Sequence, residues 1–331
     1  MQMTIKDIWK YYKKDLLLAE KKIKETLDTI APAISIIGEY TFKGGGKRIR
    51  PFLAILSSKL FGYSGEKASI LACCVESIHT ASLLHDDVVD GAQVRRGQPP
   101  AHSLWGNQVV VLVGDYLYSN ALRLINSLKN HKIMDAFSTA TAKMSEGELL
   151  QLHKKEQSKK GNLKISEEDY MRIITGKTAV LMSAACRSGA VIANATQKEE
   201  DALSSFGLNL GMAFQIADDI LDYMAEEETL GKSLGKDLEE GKITLPLIYL
   251  FRDASHHEAE KVKSIIKNEN FSKSDLTYIL YLLDKYNSIT QSYEKANIFL
   301  QKAKRQLDIF EDSTEKSALL AISDYALRRE K

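Results

Sequence analysis

The sequence predicts an all-α fold, and three observations predict it. Apolar residues recur at three- and four-residue spacing along most of the chain. Only five prolines occur in 331 residues, at 32, 51, 99, 100 and 246, and four of them fall where another signal already marks a turn or a helix break. No stretch alternates convincingly between apolar and polar side chains. Val109, Val110, Val111 and Val113 are β-branched, yet the residues around them keep helical spacing.

Candidate helices run over roughly 4–27, 30–41, 48–61, 66–89, 102–127, 131–153, 167–176, 178–192, 197–224, 243–252, 257–268, 274–285, 288–310 and 314–329. The stripe in 66–89 is Ile70, Leu71, Cys74, Val75, Ile78, Ala81 and Leu84. In 197–224 it is Leu203, Phe206, Leu210, Phe214, Ala217 and Leu221. Both segments have the character of core helices. The polar joints, at roughly 42–47, 91–101, 154–166 and 225–242, are too short and too poor in Pro and Ser to be domain linkers. One large helical domain over 1–331 is therefore expected.

Composition excludes several classes. Hydrophobic residues make up 44% and charged residues 27%, which rules out a disordered or collagen-like chain. The 45 basic and 44 acidic residues leave a formal charge of +1, so no sequence-wide basic field exists to hold nucleic acid. Cys73 and Cys74 are adjacent and Cys186 is distant, which is no disulfide framework and fits a reducing cytoplasm. Near the N-terminus, Lys6, Lys10, Lys13 and Lys14 precede only a short apolar run at 16–19, unlike a secretory signal. The longest apolar stretch, 179–195, is interrupted by Arg187 and Ser188 and is shorter than the ~20 residues a membrane span needs. No transmembrane segment is expected.

The chemistry starts from a repeated motif. Asp86, Asp87 and Asp90 form D-D-x-x-D at the end of one apolar helix, and Asp218, Asp219 and Asp222 form it again on another. Residues four apart share a helix face, so Asp86 meets Asp90 and Asp218 meets Asp222. Such like-charged pairs cost about a few tenths of a kcal/mol each, and a helix C-terminus adds to the cost. A cation offsets both. Carboxylate oxygens suit Mg²⁺, which takes one or two of them and completes its shell with water and substrate phosphates. A single acidic cluster is most simply a solvated face; two on greasy helices are hard to explain that way.

Basic residues complete the pattern. Gly44, Gly45 and Gly46 precede Lys47, Arg48 and Arg50 at a helix start, where backbone N–H groups and charge can meet a phosphate. The flanking strand and spacing of a Walker A loop are absent. Arg95 and Arg96 follow the first acidic motif; Lys232, Lys236 and Lys242 follow the second, and Lys177 precedes it. Acidic, metal-type sites with basic arms suit a diphosphate bridged by Mg²⁺.

Those residues carry a resemblance. GGGKRIRP (44–51), HTASLLHDDVVDGAQVRRG (79–97), GDYLY (114–118), GKTAVLMSAACRSGA (176–190), FQIADDILDY (214–223) and GKSLGKDLEEGKITLPLI (231–248) resemble, in order, the trans-isoprenyl diphosphate synthases of the polyprenyl synthetase family. Ser233 stands where Pro is more usual. The resemblance implies an isoprenoid-synthase bundle around a central cavity, a homodimer, and substrates that are isopentenyl diphosphate and an allylic diphosphate. It implies that Asp86, Asp87, Asp90, Asp218, Asp219 and Asp222 hold Mg²⁺, about three ions with substrate bound. Arg95, Lys177 and Lys232 match groups on the allylic diphosphate; Lys47, Arg50, His79 and Arg96 match the isopentenyl diphosphate pocket. Lys177, Thr178 and Gln215 match groups that turn toward the developing cation. His79 then reads as a phosphate donor, with a hydrogen-bonded core histidine as the plain alternative. The stretch 225–242 reads as a lid that would bring Lys232 and Lys242 to the substrate.

Product length is read from position. Ser82 and Ala81 lie four and five residues before Asp86, roughly 6–8 Å deeper along the helix. Short-chain members resemble one another in an aromatic floor there; both residues here are small. A deep tunnel past Leu71, Cys74, Val75 and Ile78, with Tyr118 and Leu122 in its far wall, is expected, and the resemblance then implies a long product of about C40. A shorter product, geranylgeranyl or farnesyl diphosphate, is the alternative. A non-catalytic synthase subunit is the reading from another class, disfavoured because neither acidic motif is lost.

Overall fold

A computed structural model of the chain describes residues 3–160, 165–224, 235–267 and 272–327. Every regular element among them is helical. In chain order they are α1 (Ile5–Tyr11), α2 (Lys13–Leu27), α3 (Pro32–Lys43), α4 (Ile49–Lys59), α5 (Lys67–Val89), α6 (Ala101–Trp105), α7 (Asn107–Ser127), α8 (His131–Lys159) and α9 (Glu167–Ile174). A π-helical turn (Thr175–Ala179) joins α9 to α10 (Val180–Ile192). Then follow α11 (Gln197–Met224), α12 (Lys236–Glu239), α13 (Leu245–Asp253), α14 (His256–Lys267), α15 (Lys273–Lys285), α16 (Ser288–Gln306) and α17 (Thr314–Leu327).

The departures from the sequence reading have local causes. The expected helix over 4–27 breaks at Tyr12, whose backbone (φ −99°, ψ 19°) leaves the helical region. The expected helix over 102–127 breaks at Gly106, at φ 82° and ψ 154°, a conformation that essentially only glycine adopts. The break expected near 177 does not occur, because the π turn carries the backbone straight through. Helix α8 runs on to Lys159, into the joint expected at 154–166. Lys236–Glu239 is helical inside the expected 225–242 loop, of which 225–234 lie outside the described residues.

The chain divides into two compact units, and the boundaries fall inside helices, α8 and α11 among them. The first comprises 1–142, 181–208 and 303–325. Its centre is α5, which packs against α2, α4 and α7. Leu71, Ala72, Cys73, Cys74, Val75 and Ile78 have no exposed surface, and burying each Leu, Val or Ile contributes about 1.5–3 kcal/mol. By length and composition alone α5 could cross a bilayer, a possibility the sequence reading weighed only for 179–195; 72% of its apolar window is buried in this unit, as in a core helix.

The second unit comprises 143–180, 209–302 and 326–331. In it α9 packs on α13, and α13 on α15. Glycines set its closest backbone approaches. A Cβ on Gly176 would lie 2.9 Å from Gly147 Cα, and one on Gly211 would lie 2.5 Å from Ala179 Cα. The π turn is thereby pressed against α8 on one side and α11 on the other.

Candidate active site

In the first unit the acidic motif ends α5. Gly91 at φ 62° stops the helix: Ala92 N–H bonds back to the Asp87 carbonyl at 3.0 Å and Gly91 N–H to that of Val88 at 3.4 Å. This glycine stop leaves Asp90 as the last capping residue and keeps Asp86 and Asp90 on one face. Asp86 and Asp90 are partly exposed, whereas Asp87 is 6% exposed and accepts a hydrogen bond from Arg95 Nη1 at 3.2 Å. Arg95 sits in a tight hairpin. Its N–H and carbonyl exchange bonds of 2.8 and 3.0 Å with Gln98, while Arg96 and Gly97 take positive φ at the tip. Arg96 reaches the Gly45 carbonyl in the glycine loop.

That loop delivers the other cations. Arg48 begins α4 in the left-handed region (φ 47°), bonding the Phe42 carbonyl at 2.7 Å and pairing with buried Glu76. It is a structural arginine, and its carboxylate partner lies 28 residues away. Arg50 Nη1 lies 3.1 Å from His79 Nε2. Arginine can only donate, so His79 Nε2 accepts and is unprotonated. Burial first, then the charges of Arg50, Arg95, Arg96 and Arg48, hold His79 well below its usual 6.5. Nε2 thus fixes Arg50, and the ring's remaining N–H, at Nδ1, is the proton a phosphate could accept. Lys47 is exposed, with Nζ 4.5 Å from the centre of the Tyr325 ring on α17. A cleft is lined by Tyr40, Gly44, Asp87, Arg95, Arg96 and Pro99.

In the second unit the acidic motif lies inside α11. Asp219 is 6% exposed and accepts from Tyr170 Oη at 2.6 Å and from Gln215 Nε2 at 2.8 Å. Gln215 Oε1 accepts from Thr178 Oγ1 at 2.7 Å, which fixes the amide's orientation. Burial and the charge of Asp237 push the Asp219 carboxyl up to about 8, against the opposing pull of its two donors. Asp237 N–H donates to Asp222 Oδ2 at 2.9 Å. Asp218 and Asp222 are partly exposed. Lys177 Nζ pairs with Glu148 Oε2 at 2.5 Å, and Lys242 Nζ with Glu240 Oε2 at 2.5 Å. Lys232 lies outside the described residues.

The chain-length positions belong to the first unit. Ala81 is fully buried in the cluster that contains Leu84, Ile37 and Val113. Ser82 is partly exposed and bonds the His79 carbonyl at 2.8 Å. Tyr118 stacks on His85 with centroids 6.5 Å apart; burial and the Asp86 charge raise its phenol to about 12. It stands beside the acidic motif, nearer the top of α5 than a far wall would be. Leu122, a turn further along α7, is partly exposed. Leu71, Cys74, Val75 and Ile78 have no exposed surface, so no water-sized space lies against them.

The comparisons with known proteins place the chain in a family. The sequence model of the polyprenyl synthetase family matches residues 31–283. The chain belongs to the polyprenyl synthetase family. It is an all-α enzyme of the isoprenoid synthase fold and a prenyltransferase. An octaprenyl diphosphate synthase from Haemophilus influenzae is 37% identical over 99% of this chain and 98% of its own. A short chain isoprenyl diphosphate synthase from Methanothermobacter thermautotrophicus is 34% identical, with 99% of each chain covered. A crystal structure of a polyprenyl synthase from Caulobacter crescentus, complexed with calcium and isoprenyl diphosphate, has a TM-score of 0.92 and 35% identity over 99% of each chain.

For a polyprenyl synthetase the donor chemistry fits Mg²⁺. Both motifs offer only carboxylate oxygens, with Asp86, Asp90, Asp218 and Asp222 partly exposed. Among the described residues no three carboxylate, imidazole or thiolate groups close around an ion unaided. One or two oxygens per motif, completed by water and substrate, is the arrangement Mg²⁺ favours. The sequence reading missed Tyr170, Asp237, Glu148 and His85. Tyr170 lies 49 residues from Asp219, a separation no local pattern shows. For His85 a signal existed: a Cβ on Gly114 would sit 2.3 Å from His85 Nε2, so the glycine of GDYLY marks the place where the ring lies.

Proposed function

We propose that this enzyme lengthens an allylic diphosphate by head-to-tail condensation with isopentenyl diphosphate, releasing diphosphate and forming a long all-trans polyprenyl diphosphate. The observation that carries the reading is that Arg50 meets His79, two helical turns or roughly 10 Å before Asp86 on the same face of α5, while Arg95 meets Asp87 within the motif itself. Such a placement suits a diphosphate held beside carboxylates that bind its counter-ions. Asp86, Asp87, Asp90, Asp218, Asp219 and Asp222 would hold Mg²⁺, about three ions. When bound, Mg²⁺ neutralises diphosphate oxygens and eases C–O cleavage.

This chain's own residues do the rest. Arg95, Lys177 and Lys232 take the allylic diphosphate. Lys47, Arg50 and Arg96 take isopentenyl diphosphate, with His79 holding Arg50. Thr178 and Gln215, locked to each other and to Asp219, present fixed dipoles to the developing cation at no reorganisation cost. Leu83, Leu84 and Val88 keep water from it. The released diphosphate removes the proton, so no side-chain base is needed. Lys242, paired with Glu240, is a further lysine for the substrate beside Lys232. We further propose one catalytic domain over 1–331, since the family match runs through both units, working as a cytoplasmic homodimer.

A long product is supported by the small pair Ala81 and Ser82 and by the Haemophilus relative. The second reading, a product near C20, is favoured by the closed packing at Leu71–Ile78. A product assay separates them: protein, Mg²⁺, farnesyl diphosphate and excess isopentenyl diphosphate, with the dephosphorylated chains sized. Long trans chains of about C40 are expected from a tunnel opening past Ala81. A stop at about C20 keeps the reaction and discards the tunnel. No elongation from farnesyl or any shorter primer overturns the proposal.

A further inference from the structure

We propose that Glu148 is the resident counter-ion of Lys177, a positioning residue that weakens diphosphate binding and favours the ionised state of the allylic group. The inference rests on the reading that Lys177 binds the allylic diphosphate. Glu148 Oε2 lies 2.5 Å from Lys177 Nζ, with side chains 17% and 21% exposed, so the pair is largely shielded from solvent. Nothing local makes it: Glu148 is on α8 and Lys177 in the π turn.

Two glycines bring them together. A Cβ on Gly147 would lie 3.0 Å from both Gly176 Cα and Lys177 N, and a Cβ on Gly176 would lie 2.7 Å from the Lys143 carbonyl oxygen. Backbone touches backbone at 147 and 176, which sets the next residue of each segment, Glu148 and Lys177, side by side. The next side chain along the turn, Thr178, begins the chain of bonds through Gln215 to Asp219. The pair therefore belongs to the same constellation as the second acidic motif.

Its charge has two consequences. A carboxylate on the lysine competes with the diphosphate for the ammonium and repels the incoming anion. The same carboxylate is favourable to a positive charge formed nearby, so it costs ground-state binding more than it costs the transition state. Removing its charge while keeping its shape should tighten binding and slow turnover, a combination that loss of structural support does not produce.

The test is Glu148→Gln, whose amide oxygen still accepts from Lys177. Binding of inorganic diphosphate with Mg²⁺ is measured by calorimetry, and steady-state kinetics are run with farnesyl diphosphate. The expected result is a Kd for diphosphate and a KM for farnesyl diphosphate lower by about threefold to tenfold. The kcat also falls, and the KM for isopentenyl diphosphate is unchanged. Glu148→Asp, which keeps the charge, should restore the wild-type diphosphate affinity, and Lys177→Gln should abolish the gain. Unchanged or weaker diphosphate binding in Glu148→Gln overturns the inference, as does tighter binding that persists in the Lys177→Gln background. The binding comparison needs no turnover. A wild type that fails to elongate would sink the functional reading without deciding this one.

Discussion

Asp87 and Asp219 hold the same place in the same motif, and each is 6% exposed. Their surroundings are opposite. Asp87 is met by a cation, Arg95 from the hairpin. Asp219 is met by the neutral donors Tyr170 and Gln215, with another carboxylate, Asp237, raising its pKa. A buried carboxylate needs compensation, and the two units supply it differently: one with a fixed charge, the other with hydrogen bonds and a readily held proton. Asp87 is met by a cation before any metal arrives, whereas Asp219 has the more to gain from one.

The largest test of that contrast is catalytic. Asp86→Ala and Asp218→Ala should each lower kcat by about 10²–10³; a mild effect at either one would show that the motifs do not share the work. Next comes the loss of donors. Tyr170→Phe should destabilise the protein by about 1–3 kcal/mol, because Asp219 loses a bond in a buried site. Arg95→Gln, at a partly exposed arginine, should cost about 1 kcal/mol or less. Chemical denaturation measures both, and the reverse order would break the comparison.

Smaller effects depend on pH. The folded pKa of Asp219 lies near 8 and its unfolded value near 3.8. The folded state keeps a proton that the unfolded state gives up, so metal-free stability falls as pH rises through that window. Asp219→Asn should therefore raise the thermal midpoint without Mg²⁺, by an amount that grows from about pH 4 to about pH 8 and then levels off. His79 acts in the opposite direction. Its folded pKa is depressed, so the unfolded state binds the extra proton and stability falls as pH drops below about 6.5. His79→Gln should flatten that acid limb; an unchanged slope would place the titrating group elsewhere.

Much of this was legible in the sequence wherever the signal was local. The spacing of Asp86 and Asp90, and of Asp218 and Asp222, fixes their faces without any tertiary knowledge. The apolar stripes found α5 and α11 to within a residue or two. Helix interruptions were less visible: Gly106 breaks a run of good helical spacing because its backbone torsions, rather than its polarity, end α6. The π turn is invisible for the same reason in reverse, since Gly176 and Thr178 look like an ending but the backbone continues. Long-range partners were out of reach altogether. His79 gives no sign in the sequence that Arg50, 29 residues away, donates to it.

The π turn also dictates which length changes the chain can tolerate. An α-helix advances about 100° per residue, and five residues wound as a wider turn set the phase of everything after them. Deleting one residue from Thr175–Ala179 would leave a continuous helix, so nothing would look broken. The helix downstream would keep nearly its present phase, because the wider turn spends about one residue more than an α turn does. Leu181, Met182 and Cys186 would stay buried, and the loss would fall on the turn itself. Lys177 and Thr178 could no longer both keep their present partners. Along this stretch the count of residues matters as much as their identity, which makes it a place where relatives should vary by substitution and not by length.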